Sequence, residues 1–212
     1  MESSLRYLAI LIALLSVAGC SDPKAASEKN FKVAVQNYLN TAYPRCYVVR
    51  NFPTDKDEWN FNRANDTLEA LAKSGLLSKK ETKEEQKNMF GQGTHTVTKL
   101  TYDLTAEGKK YYKPGVTKNL RGDTMGGFCV GKANLKSIAQ FSEPADMMGL
   151  KVSRVNYDYV VTDLPAWANA PDMQQALGEL KADVDSKLTP RKAAEAVVLT
   201  NTGWVHEKLF SR

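Results

Sequence analysis

The sequence is poor in the residues from which most catalytic and metal centres are built. Two histidines and three cysteines in 212 residues leave little material for a multi-ligand zinc site. There is no Gly-x-Ser-x-Gly elbow, no His-Glu-x-x-His, no Cys-x-x-Cys and no phosphate loop, so the common hydrolase, metalloprotease, redox and nucleotide signatures are missing. After the first 20 residues no apolar run approaches the roughly 18 residues of a spanning helix, which excludes a polytopic helical membrane protein. Internal repeats and low-complexity tracts are absent too. What is present is ordinary globular composition, 42% hydrophobic and 9% aromatic, enough for a real core.

The acid–base candidates are weak. His206 and Glu207 are adjacent in a strand-like run, so their side chains point to opposite faces. His95 lies in a glycine-rich flank. The carboxylate pairs Asp55/Asp57 and Glu84/Glu85 are expected in hydrophilic loops with no apolar setting to raise a pKa. Neither an enzymatic function nor a cofactor or metal site is expected.

The N-terminus carries the most specific pattern. A short polar start with Arg6 leads into the apolar run from Tyr7 to Val17, then Ala18, Gly19 and Cys20. This is the layout of an export signal, too short to span and ending in small residues. Val17-Ala18-Gly19-Cys20 resembles the lipobox of bacterial lipoproteins. That resemblance implies removal of residues 1–19, fatty acylation of Cys20, and a membrane partner held through the lipid. Two or three acyl chains make such attachment effectively permanent. Ser21, with Asp22 one place later, favours the outer membrane and its periplasmic face, the inner membrane being the alternative. Residues 20–26 are small and polar and read as a short tether.

Export sets the reading of charge and cysteine. The net charge of +5 suits anionic headgroups, peptidoglycan carboxylates or an acidic envelope protein, or simply a mixed solvated surface. The run Lys79-Lys-Glu-Thr-Lys-Glu-Glu-Gln-Lys alternates in sign and suits a solvated face or loop. With Cys20 acylated, Cys46 and Cys129 remain, an even pair in an oxidising compartment. Two readings stand, a disulfide or two buried thiols, and the compartment favours the bridge.

The expected fold is α+β: N-terminal helices with a wing-like hairpin over residues 27–115, then an antiparallel meander with one packed helix over 116–212, the two parts forming separate subdomains or one domain. Phe31, Val35, Tyr38, Leu39 and Ala42 make one helical stripe, stopped by Pro44. Residues 46–49 are a strand. A second helix from Arg63 ends near Gly75. Thr98, Leu100, Tyr102 and Leu104 alternate as a strand, and Thr105 caps a short turn. A Gly/Pro joint follows, with Arg121-Gly122-Asp123 read as a turn. Residues 128–141 form an apolar run with a bulge at Gly131. Val155 to Val161 alternate as a strand, a helix carries Met173, Ala176, Leu177, Leu180 and Val184, and two last strands flank Asn201-Thr-Gly, expected as a three-residue hairpin.

The run Leu68-Glu-Ala-Leu-Ala-Lys-Ser-Gly-Leu-Leu, followed by Tyr102-Asp-Leu-Thr-Ala-Glu-Gly-Lys-Lys-Tyr-Tyr, resembles the helix, turn and wing of winged-helix regulators. The family would imply nucleic-acid binding. Here only Arg63 and Lys73 lie on the helix, too few clustered cations for phosphate, and an exported chain does not meet DNA. No nucleic-acid partner is expected.

Phe52, Trp59, Phe61 and Trp167 fall in loops, as candidate binding-surface aromatics or as plugs over the core. The expectation from sequence is a lipid-anchored, non-catalytic binding, scaffold or inhibitory module. The alternatives are an envelope hydrolase or a winged-helix regulator.

Overall fold

The computed structural model describes residues 22–88, 91 and 93–210. Among the described residues five α-helices and eleven strands arranged in antiparallel sheets make an α+β fold. Helix α1 (Glu28–Ala42) begins where the Ser27 hydroxyl accepts from the Asn30 amide and Glu28 faces the helix N-terminus, and it buries Phe31, Ala34, Val35 and Leu39. It lies across a four-stranded meander of β11 (Gly203–His206), β10 (Arg191–Thr200), β9 (Leu150–Thr162) and β7 (Lys132–Phe141), with the short β8 (Ala145–Met147) also paired to β9. Along β9 the buried residues are Ser153, Val155, Tyr157, Tyr159 and Val161, the period-2 pattern of a sheet with one face in the core.

A second buried cluster joins β1 (Arg45–Val49), α2 (Ala64–Lys73) and β6 (Thr124–Val130) to the later helices α4 (Pro171–Ala176) and α5 (Leu180–Asp185). Each cluster draws on both halves of the chain, and Leu164 packs against both. Strands β1, β6 and β5 (Tyr112–Lys118) form one sheet, and β2 (Thr54–Asp55), β4 (Thr94–Leu104) and β3 (Leu77–Lys87) another. Helix α3 (Ala106–Tyr111) is capped by Thr105, whose hydroxyl accepts from Gly108 N. In the β1/β6 register Cys46 lies directly opposite Cys129, and their sulfurs are bonded.

Several details depart from the pattern read in the sequence. The sign-alternating run is not a loop: it is most of β3, paired along its whole length with β4 in a hairpin whose β3 side chains beyond Leu77 are almost all exposed. Its cross-strand partners are threonine-rich, which supplies the strand preference that Lys and Glu lack. The Gly/Pro joint is mostly strand, β5 and β6 flanking the Arg121-Gly122-Asp123 turn, with a register shift between Lys113 and Thr117. Gly131 is not a bulge within one strand. At φ +85° it turns the chain from one sheet into the next, a left-handed conformation that favours glycine. The helix expected from Met173 to Val184 is divided into α4 and α5 by Gly178 and a left-handed Glu179. The last hairpin closes on two residues, Asn201 and Thr202, with Thr200 opposite Gly203.

The segment read as a tether is folded as far as the description extends. Asp22 O and Ala25 O accept from the Asn30 side chain at 2.9 and 2.8 Å. The Trp204 indole N–H donates to Lys24 O and Ala25 O at 3.1 Å each. Four small or polar residues carry no hydrophobic signal, so the anchor had to come from elsewhere in the chain, and Trp204 supplies it.

Candidate functional site

Three groupings of side chains stand out. The first surrounds the C-terminal histidine. Two-residue closure of the β10–β11 hairpin sets His206 opposite Val197, on the same face as Glu195 two residues earlier. The fully buried His206 ring stacks on Tyr38 of α1, centroids 3.8 Å apart. Lys208 N donates to Nδ1 at 3.2 Å, which leaves the proton on Nε2, 2.8 Å from Glu195 Oε2. Glu195 also accepts from Tyr157 at 2.7 Å and pairs with Lys208. Burial pushes the imidazole below its ordinary value despite the carboxylate beside it. Burial alone would raise the Glu195 carboxyl, but hydrogen bonds from Lys208 and Tyr157 hold it below the usual range. Both imidazole nitrogens are engaged inside the fold, so the cluster ties the C-terminal segment to α1. The three-residue hairpin expected from sequence shifts the register by one and puts His206 on the other face, which is why Glu195 escaped notice.

The second grouping is the buried carboxylate Asp183 on α5. It accepts from Tyr43 at 3.1 Å, Tyr47 at 2.7 Å and Arg191 at 2.7 Å, with Arg45 at 3.5 Å. Glu179 pairs with the same two arginines. Burial, reinforced by the neighbouring Asp183 charge, pushes both tyrosines far above their ordinary pKa. No sequence signal joins Asp183 to Tyr43 and Tyr47, which lie 140 and 136 positions away.

The third is a groove of about 630 Å³ between α2 and α4, lined by Arg63, Asp66, Ala70 and Lys73 on one wall and Asp172 and Gln175 on the other. The α2 residues recur at helical spacing, so they present one face. At the N-terminal end of this wall a tight turn is pinned by one side chain: Asn60 Oδ1 accepts from Asn65 N at 2.9 Å and Nδ2 donates to Asp66 at 2.8 Å. Arg63, at φ +59°, adds a 2.9 Å bond to the same Asp66. On this fixed turn Trp59 and Phe61 stand 70% and 74% exposed. The other two loop aromatics pack inward. Phe52 lies against Tyr112 and Phe128. Trp167 lies against Tyr111 and Phe128, and its indole N–H is buried without a partner among the described residues.

His95, far out on the β3–β4 hairpin, is exposed and bonded through Nδ1 to Asn88 at 2.9 Å. Among the described residues no three acidic, histidine or cysteine side chains gather as a metal site, and no helix is long and apolar enough to cross a membrane. Cys20 and residues 1–19 lie outside the described residues. A comparison of the chain with protein-family models, curated proteins and solved structures returns no match.

Proposed function

We propose that this chain is a lipid-anchored module of the bacterial envelope, facing the periplasm and acting by binding a protein partner through the α2–α4 groove rather than by catalysis. The observation that carries the reading is the pair Trp59 and Phe61, held outward on a turn whose backbone is fixed by Asn60 and Arg63. Large aromatics exposed on a rigid turn lose little entropy on binding and are the residue types that dominate interface energies. The bonded Cys46–Cys129 pair fits an oxidising compartment, as the lipobox requires.

The winged-helix alternative draws no support from this surface. Arg63 is paired with Asp66, Lys73 with Asp172 at 2.5 Å and Lys79 with Glu69 at 2.8 Å, so the cations near α2 are already neutralised. The hydrolase alternative needs His95 or His206 beside a carboxylate in a cleft. His206 has both ring nitrogens engaged inside the fold, and His95 stands exposed on the β3–β4 hairpin beside the Asn88 amide.

Two experiments test the reading. Labelled palmitate should enter the wild-type chain and not Cys20→Ser, and an unlabelled wild type would overturn the anchor. A photo-crosslinking amino acid at position 61 should capture one envelope protein in intact cells. The same probe at Leu120, fully exposed on the β5–β6 turn, should not. Equal yields at both positions would overturn the groove.

A further inference from the structure

We infer that the end of the meander sheet carrying the Met148-Gly149 and Asn201-Thr202 turns is the face of the protein that rests on the membrane, with Met147 and Met148 in contact with lipid. This rests on acylation of Cys20, and goes beyond it by assigning the orientation of the whole domain.

Sheet register puts the two turns together. Val152 pairs with Val198, and Val198 with Val205, while Ala145 pairs with Val152 from the other side. Two residues further along each strand, β10 turns into β11 through Asn201-Thr202, and β8 into β9 through Met148-Gly149. Both turns therefore leave the same end of the sheet. The N-terminal segment is fixed at that end as well. The Pro23 carbonyl would lie 2.9 Å from a Cβ on Gly203, a contact that only glycine at 203 allows, and the Trp204 indole holds the next two carbonyls.

Only Ser21 separates Cys20 from the anchored Asp22. Two Cα steps reach at most about 7.6 Å, too short for the domain to stand away from its lipid or to roll onto another face. The end of the sheet beside which Pro23, Lys24 and Ala25 are held must therefore face the bilayer.

What this end presents fits that position. Met147 and Met148 are 60% and 88% exposed, adjacent apolar side chains at the tip of a hairpin. Met148 and Gly149 have φ +51° and +80°, the two left-handed positions of a hairpin turn that ordinarily takes Asn-Gly. Methionine here is unfavourable for the backbone and, in water, for the side chain. A lipid surface removes the second penalty. The exposed charges at this end balance, Lys151 lying 3.7 Å from Asp146 and Asp22 standing two residues from Lys24, so the apolar methionines carry the contact.

The test uses full-length protein purified from membranes, with the mass of the N-terminal peptide reporting the lipid on Cys20. Met148→Cys and Leu188→Cys are each labelled with an environment-sensitive fluorophore and reconstituted into phosphatidylethanolamine/phosphatidylglycerol vesicles containing spin-labelled lipid. Leu188 is 91% exposed and lies just before β10 begins, at the far end of the same sheet. Quenching at least threefold stronger at position 148 than at 188 is expected. Equal quenching in acylated protein overturns the orientation and leaves the anchor standing, whereas an unmodified Cys20 in the mass spectrum overturns the anchor itself.

Discussion

At the scale of single residues, the fold depends on charges that it has removed from water. Asp183 is surrounded by two phenols and two guanidinium groups, and each of its oxygens accepts from a tyrosine. Removing one partner of a buried pair leaves the others uncompensated, typically for about 3–5 kcal/mol. Asp183→Asn keeps the volume but turns an NH2 group toward donors. It is expected to lose at least 3 kcal/mol in urea unfolding, and about 10 °C in Tm for a domain of this size. A loss under 1 kcal/mol would show that the network is not what holds α5 to β1 and β10. His206 makes a different demand. Its folded pKa lies below the unfolded value and it is buried neutral, so as pH falls through about 6.5 the unfolded chain takes up a proton that the folded one refuses. Stability should fall as pH drops below that point. Glu195, also depressed, extends the fall below the ordinary carboxylate range. In His206→Gln the unfolding midpoint should change much less between pH 7 and 5.5 than in the wild type. Parallel curves would rule out the histidine as the source.

At the scale of elements, close approach of backbones decides what can be substituted. Helix α3 comes so near the connection between α2 and β3 that a Cβ on Gly108 would sit 2.0 Å from the Leu76 carbonyl oxygen. That neighbour is backbone and cannot rotate away. Gly108→Ala should therefore cost about 2–3 kcal/mol, as overpacking does, whereas Gly115→Ala, with open space around it but φ +66°, should cost only backbone strain of about 1 kcal/mol. Denaturant midpoints of the two variants check the order. Elements of this kind were legible in proportion to their one-sided burial. Helix α1 and strand β9 each put one face into the core, so their periods of 3.6 and 2 appear directly in the residue order. Strand β3 buries almost nothing past Leu77, and its Lys/Glu run carries no period of burial. Gly131 and Gly178 read as local irregularities because a sheet change and a helix break are decided by what packs on either side. For the candidate site the same rule holds: the cysteine pair followed from counting, while Glu195 with His206 depends on strand register, and Asp183 with its arginines on the packing of α5 against β1 and β10, neither of which spacing alone fixes.

At the scale of the molecule, the meander sheet separates the two ends to which different tasks are proposed. Strand β9 runs 13 residues from the Met148-Gly149 turn, about 40 Å at strand rise, toward the loop that carries α4 and α5. The groove between α2 and α4 is thus borne at the end away from the segment held by Trp204, where the proposed partner would reach it. The disulfide acts at this distal end. It closes 83 residues that include α2, the β3–β4 hairpin and α3, and the chain-entropy model gives such a loop a ceiling near 4.5 kcal/mol. The cluster beneath α1 contains neither cysteine and draws on neither β1 nor β6. Loss of the bridge in the double variant Cys46→Ser/Cys129→Ser should therefore be uneven. Amide exchange should speed up at least tenfold in β1, β6 and α2, while α1, β9 and β10 stay within threefold of the wild type. Photo-crosslinking from position 61 should weaken in that variant, and lipid quenching at position 148 should not change. Uniform loss of protection across both clusters would mean that the molecule unfolds as one unit, and that the groove cannot loosen without also releasing the end proposed to face the membrane.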